Sequence, residues 1–136
     1  MNEPLVARAP SLYLLSASSC GACELELAGC FGPVWNLEKM GVNWVDHPGM
    51  ADLIVLAGCM DHFDPRPILA AVPKPYWVIA LGTCAQSGGM FGAGGSFVPL
   101  DERIQIDLII PGCPPRPSGI QAGLEKLLTY IKQRKR

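Results

Sequence analysis

The run Tyr-Trp-Val-Ile-Ala-Leu-Gly-Thr-Cys, residues 76–84, decides the fold that this sequence predicts. Its first six residues are apolar or aromatic, which is typical of a short strand that is buried on both faces. The strand ends at Gly82, and Cys84 follows almost at once. The run therefore predicts a central strand whose carboxyl end delivers a cysteine.

The same pattern recurs along the chain. The near-continuous apolar run at residues 51–57 ends at Gly58-Cys59, and the apolar residues 11–17 lead to Cys20 and Cys23 in Ser-Cys-Gly-Ala-Cys. Residues 104–110 form a last predicted strand before Pro-Gly-Cys113, and residues 42–45 form a short second one. Buried strands of this kind are typical of a mostly parallel sheet.

Helical segments separate these strands. We predict helices from residue 24 onward, at 66–72 and at 118–132, with one helical turn at 35–40 and a glycine-rich loop at 86–95. Ser118 is the expected N-cap of the last helix, which carries apolar residues at helical spacing: Ile120, Leu124, Leu127, Leu128 and Ile131. Strands that alternate with helices predict an α/β fold.

Composition restricts the class of protein. The 136 residues suggest a single domain over 1–136, with an N-terminal arm at 1–10 and a basic tail at 133–136. The chain is 49% hydrophobic and 17% charged, which suggests that partner chains cover part of its surface. A net charge of -1 gives no indication of a nucleic-acid partner. No run is long enough to span a membrane and no signal peptide is visible, so we expect the reducing cytosol.

Four cysteines are the candidate ligands: Cys20, Cys23, Cys84 and Cys113. Because the carboxyl ends of parallel strands meet at one edge of a sheet, we expect these thiols to gather there. Thiolates suit an iron–sulfur cluster or zinc, and the wide spacing is unlike a zinc ribbon or a compact ferredoxin string. The ligand rules favour an iron–sulfur cubane and leave zinc and unligated thiols as alternatives. Gly21, Gly82 and Gly112, next to these cysteines, are expected to keep the backbone slim beside an inorganic core.

These residues also carry a family resemblance. The segments Ser-Cys-Gly-Ala-Cys-Glu-Leu-Glu, Gly-Thr-Cys-Ala-Gln-Ser-Gly-Gly and Pro-Gly-Cys-Pro-Pro-Arg-Pro resemble the small subunit of nickel–iron hydrogenases and the homologous 20-kDa subunit of respiratory complex I. The resemblance covers about residues 11–131. It implies a flavodoxin-like domain with helices on both faces of the sheet. It also implies one 4Fe–4S cluster at the carboxyl edge, held by Cys20, Cys23, Cys84 and Cys113.

Two features indicate a branch of this family. The Cys-x-x-Cys spacing of Cys20 and Cys23 is similar to hydrogenases, whereas complex I members carry adjacent cysteines. The chain stops about twenty residues after Cys113, as in the short small subunits of energy-converting, membrane-bound hydrogenases. The resemblance implies an electron-transfer subunit with no complete active site of its own. Its implied partners are a nickel–iron large subunit, a ferredoxin-like iron–sulfur subunit and membrane subunits, on the inner face of the cell membrane.

Three other functions remain open at this stage. The partner could be a quinone-site subunit in a complex I-like oxidoreductase, or the whole could be a soluble cofactor-coupled hydrogenase. A zinc-stabilised scaffold with no redox role is the third alternative.

Two further cysteines and one glutamate have ordinary explanations. Cys30 and Cys59 are expected to be small buried thiols rather than ligands. Glu26 is predicted on the first turn of the helix after Cys23, where the helix dipole favours a carboxylate. The resemblance also places a glutamate here, which would carry protons or tune the cluster at the large-subunit interface.

Loop residues complete the set of candidates. His47 and His62 are expected to be surface histidines without a redox role. Met90 and Phe91 lie in the glycine-rich loop and are expected to be exposed apolar contacts for a partner.

Overall fold

The described part of the chain forms one parallel sheet with helices on both faces. The structure is a computed structural model that describes residues 10–17, 21–58, 64–73, 75–87 and 104–134. The strands within these ranges are β1 Ser11–Ser16, β2 Asn43–Trp44, β3 Leu53–Ala57, β4 Trp77–Leu81 and β5 Leu108–Ile110. The α-helices are α1 Ala22–Gly29, α2 Arg66–Leu69, α3 Gly82–Ser87 and α4 Pro117–Arg134, and two 3₁₀ helices span Leu37–Met40 and Pro48–Met50.

The strand order is β2-β1-β3-β4-β5, and the described pairs are all parallel. This is the flavodoxin-like order, in which the chain reverses direction across the sheet between β1 and β3. Leu53 sets the central register, since it pairs with Leu12 of β1 and with Trp77 of β4. The predicted α/β fold with a mostly parallel sheet is confirmed.

Successive side chains of the central strands point to opposite faces of the sheet and pack in two separate hydrophobic cores. All residues of β3 and β4 are buried, which explains why these segments are continuously apolar. Odd-numbered positions such as Val55 and Ile79 pack in one core with α1 and α4. Even-numbered positions such as Ile54 and Val78 pack in the other core with Leu69 of α2 and Ala85 of α3. The helices therefore cover both faces, as predicted.

Several predicted boundaries are wrong. β5 begins at Leu108 rather than at residue 104, because the Asp107 carboxylate accepts a hydrogen bond from the Val78 amide at 2.8 Å. Ser118 is not an N-cap, since α4 begins at Pro117, whose fixed φ suits the first helical position. The helix ends at Arg134, two residues beyond the predicted end at residue 132. Helix α2 ends at Leu69, three residues before the predicted end.

Candidate metal centre

The carboxyl edge of the sheet brings three cysteine-bearing segments together. The Cys23 Sγ atom lies 2.5 Å from the point that a Cβ on Gly82 would occupy, and the Gly112 carbonyl oxygen lies 3.4 Å from that point. Gly82 is two residues before Cys84, and Gly112 directly precedes Cys113. The sulfur of Cys23 therefore lies against the backbone that carries two other predicted ligands.

Both of these glycines are required by the local geometry. Gly82 has φ +86° and Gly112 has φ +140°, which L side chains rarely adopt. A Cβ on Gly112 would also stand 2.6 Å from the Pro115 Cα. Gly21 has φ +84°, which also favours glycine, but an added Cβ would meet no protein atom within 4 Å, so the slim backbone at that position stays a prediction.

Hydrogen bonds join the same segments. The Thr83 amide donates to the Gly112 carbonyl at 2.9 Å, and the Thr83 hydroxyl donates to the same oxygen at 3.1 Å. The start of α3 is thus tied to the bend that precedes Cys113. This link was not predicted from the sequence; the available signal was a threonine beside the cysteine, able to donate from both its amide and its hydroxyl.

The predicted ligands differ in their surroundings. Cys23 lies in the first turn of α1 and Cys84 lies in α3, and each is only 9% exposed. Cys84 follows the end of β4, as predicted, but it lies in α3, a short helix that was not predicted and that includes residues 86–87 of the predicted loop. Cys113 is exposed in the bend between β5 and α4. Cys20 lies outside the described residues.

The donor set fits a sulfur-ligated cluster. No disulfide joins the cysteines within the described ranges, and two of the candidate ligands are almost shielded from water. Soft thiolates are the ligands of iron–sulfur clusters, and in a 4Fe–4S cubane each of the four cysteines binds a different iron. In the described part of the chain, no three His, Cys, Asp or Glu side chains are placed to hold one metal ion.

Helix α1 carries two glutamates that follow Cys23 closely in sequence. Glu24 is in the first turn, and its carboxylate accepts a hydrogen bond from the Ser16 hydroxyl at the end of β1. Glu26, two residues later, lies in the second turn, so its predicted place in the first turn is wrong; the helix begins at Ala22, earlier than expected. Burial, and then the charge of Glu26, raise the pKa of Cys30 to about 11.

Two other candidate residues, Cys30 and His47, have structural roles in the fold. Cys30 is fully buried in the core, as predicted. His47 is exposed, as predicted, and its Nδ1 accepts a hydrogen bond from the Gly49 amide at 2.9 Å, which caps the second 3₁₀ helix. Four candidates lie outside the described residues: Cys59, His62, Met90 and Phe91.

The sequence comparison decides the family. The family described as NADH ubiquinone oxidoreductase, 20 Kd subunit, matches residues 20–127, which is most of the chain. The chain belongs to this family. The resemblance seen in the cysteine motifs is therefore confirmed.

Relatives within the 20-kDa subunit family come from two kinds of complex. The chain is 33% identical over 135 residues to a protein of Pyrococcus furiosus named probable membrane-bound hydrogenase subunit mbhJ, covering 93% of this chain and 81% of the relative. It is 36% identical over 113 residues to a protein of Geobacter sp. that is named as a subunit of NADH-quinone oxidoreductase, covering 80% of this chain and 66% of the relative.

Solved structures of similar chains agree with the fold. A chain of an archaeal membrane-bound sulfane sulfur reductase matches with a TM-score of 0.77 at 28% identity, covering 97% of this chain and 77% of that one. A chain of an NAD⁺-reducing [NiFe]-hydrogenase matches with a TM-score of 0.69 at 19% identity, covering 90% and 93%, which supports the fold alone. Relatives in this family are thus subunits of oxidoreductase complexes, several of them membrane-bound. In this chain, no helix among the described residues has the length and apolar character needed to cross a bilayer.

Proposed function

We propose that this chain is an electron-transfer subunit that holds one 4Fe–4S cluster beside the active site of a nickel–iron large subunit. The contact of the Cys23 sulfur with Gly82, together with the hydrogen bonds from Thr83 to the Gly112 carbonyl, carries the proposal. It brings the first cysteine motif to the segments that bear Cys84 and Cys113. Cys20 would supply the fourth thiolate.

The bound cluster would supply one-electron chemistry, and the chain would fix its position and environment. Cys23 and Cys84 are nearly buried, so their side of the site excludes water. Cys113 is exposed, which leaves its side open to a partner subunit. Bond making on hydrogen belongs to the large subunit, so this chain contributes no complete active site.

We further propose a membrane-associated hydrogenase as the host complex. The Cys-x-x-Cys spacing and the Pyrococcus furiosus relative support this choice. Partners would be the large subunit, a ferredoxin-like iron–sulfur subunit and membrane subunits, with the complex on the inner face of the cell membrane. The Geobacter relative supports a second candidate, a quinone-reducing complex I-like oxidoreductase. Hydrogen-dependent dye reduction by the purified complex separates the two functions.

The ligand assignment is tested by three serine variants in the complex, purified without oxygen. Cys84→Ser and Cys113→Ser should lose the iron and the electron paramagnetic resonance (EPR) signal of this cluster. Cys30→Ser is the matched control: it removes a fully buried thiol from the core, and it should retain both. Iron and zinc are measured on the same samples.

Two results would contradict the proposal. Equal iron in all three variants would show that the ligands are assigned wrongly. Zinc in place of iron in the unaltered complex would favour the zinc-stabilised scaffold.

A further inference from the structure

The hydrogen bond between Ser16 and Glu24 joins the end of β1 to the first turn of α1. Glu24 directly follows Cys23, one of the proposed ligands. We propose that Ser16 holds the Glu24 carboxylate as a fixed negative charge that lowers the reduction potential of the cluster. This inference rests on the proposed function, since it needs the cluster to be present.

The charge of Glu24 is only weakly screened, because part of its carboxylate is shielded from solvent. Its Oε1 atom is shielded from solvent, while the other oxygen accepts the Ser16 hydroxyl. Charges removed from water are screened less by solvent and salt than exposed charges. The start of a helix and a hydroxyl donor both favour a carboxylate at this position.

The direction of the effect follows from electrostatics. Reduction adds an electron to the cluster, and a fixed negative charge nearby repels it. Removing that charge should therefore favour the reduced cluster, by on the order of tenfold in the reduction equilibrium for a charge in a partly buried site. Ser16 acts through Glu24 and is a positioning residue.

A purely structural explanation competes with this one. The same hydrogen bond could serve only to hold α1 against β1. Glu24→Gln separates the two explanations, because glutamine keeps the size of the side chain and one oxygen that can accept from the Ser16 hydroxyl, and it removes the charge. Ser16→Ala makes the complementary change: it keeps the charge and removes the bond that orients it.

The experiment is a redox titration of the purified complex, monitored by EPR on the signal that Cys113→Ser removes, with iron measured on each sample. Glu24→Gln should retain its iron, and its midpoint potential should rise by about 59 mV, the equivalent of tenfold for one electron. Ser16→Ala should shift the midpoint in the same direction by less. Glu38→Gln is the matched control: Glu38 is exposed and lies beyond the far end of α1, so its midpoint should not move.

Each outcome decides between the explanations. A loaded Glu24→Gln variant with an unchanged midpoint overturns the inference. If only Glu24→Gln loses its iron, the test depends on Ser16→Ala. A raised midpoint potential in Ser16→Ala supports the inference, and an unchanged midpoint potential overturns it. Loss of iron from both variants assigns the pair to folding. Absence of iron from the unaltered complex overturns the proposed function itself, which is a different result.

Discussion

The convergence at the sheet edge can be tested by Gly82→Ala. Gly82 has φ +86°, which costs an alanine about 1–2 kcal/mol. The new Cβ would also stand 2.5 Å from the Cys23 sulfur, so the thiol or α1 must move. Forcing an extra carbon into a packed site adds about 1–3 kcal/mol. We therefore expect Gly82→Ala to lower the free energy of unfolding by roughly 2–5 kcal/mol.

The assay is thermal unfolding of the full chain, followed by circular dichroism. At roughly 4 °C per kcal/mol for a domain of this size, Tm should fall by about 8–20 °C. Gly41→Ala is the matched control, because Gly41 has φ +90° and an added Cβ would meet nothing within 4 Å. The Tm of Gly41→Ala should fall by only about 4–8 °C, which is the cost of the positive φ alone.

Equal losses of Tm in the two variants would refute the reasoning, since the sulfur would then not lie over Gly82. A double variant makes the test sharper. Adding Cys23→Ala to Gly82→Ala removes the obstructing sulfur, so the two changes should be non-additive, with the double variant recovering most of the excess loss.

Two predictions concern groups outside the sheet edge. Because burial and Glu26 raise the pKa of Cys30 from 9.0 to about 11, the unfolded chain ionises first and stability should fall between these pH values. Urea midpoints measured across this range should fall less in Cys30→Ala, and an equal fall would contradict the shift. Asp52→Ala removes a buried carboxylate, which accepts a hydrogen bond from the Ser11 amide at 3.0 Å. This change should lower the free energy of unfolding by about 1.5–3 kcal/mol. Asp52→Asn keeps an oxygen acceptor and should cost less in urea unfolding; the opposite order would show that charge, not the bond, is the important feature.

The strands were predictable because burial on both faces leaves a strong signal. β3 and β4 have no exposed face, so each appears in the sequence as an unbroken apolar run. β5 was predicted too long for a physical reason. Ile104 and Ile106 are apolar because they pack partly buried against the second core, but they precede the strand rather than belong to it.

The site was predictable only in part. Cysteines that follow strands are visible in the sequence, and the parallel topology then places them at one edge. Helix α3 was missed because its six small or polar residues carry no apolar periodicity and it begins at glycine, a poor helix former. The Ser16–Glu24 bond was missed because it depends on where α1 begins, and the predicted start lay two residues too late.

The strand order separates β1, which leads to Cys23, from β4, which leads to Cys84. β3 lies between β1 and β4, so the two strands are roughly 10 Å apart. The Cys23 sulfur nevertheless contacts Gly82 at the end of β4. Helix α1 packs against α4, and Leu27 lies in the same core as Leu81 of β4. The position of the Cys23 sulfur thus depends on the packing of α1 and α4 as well as on the segment that carries the motif.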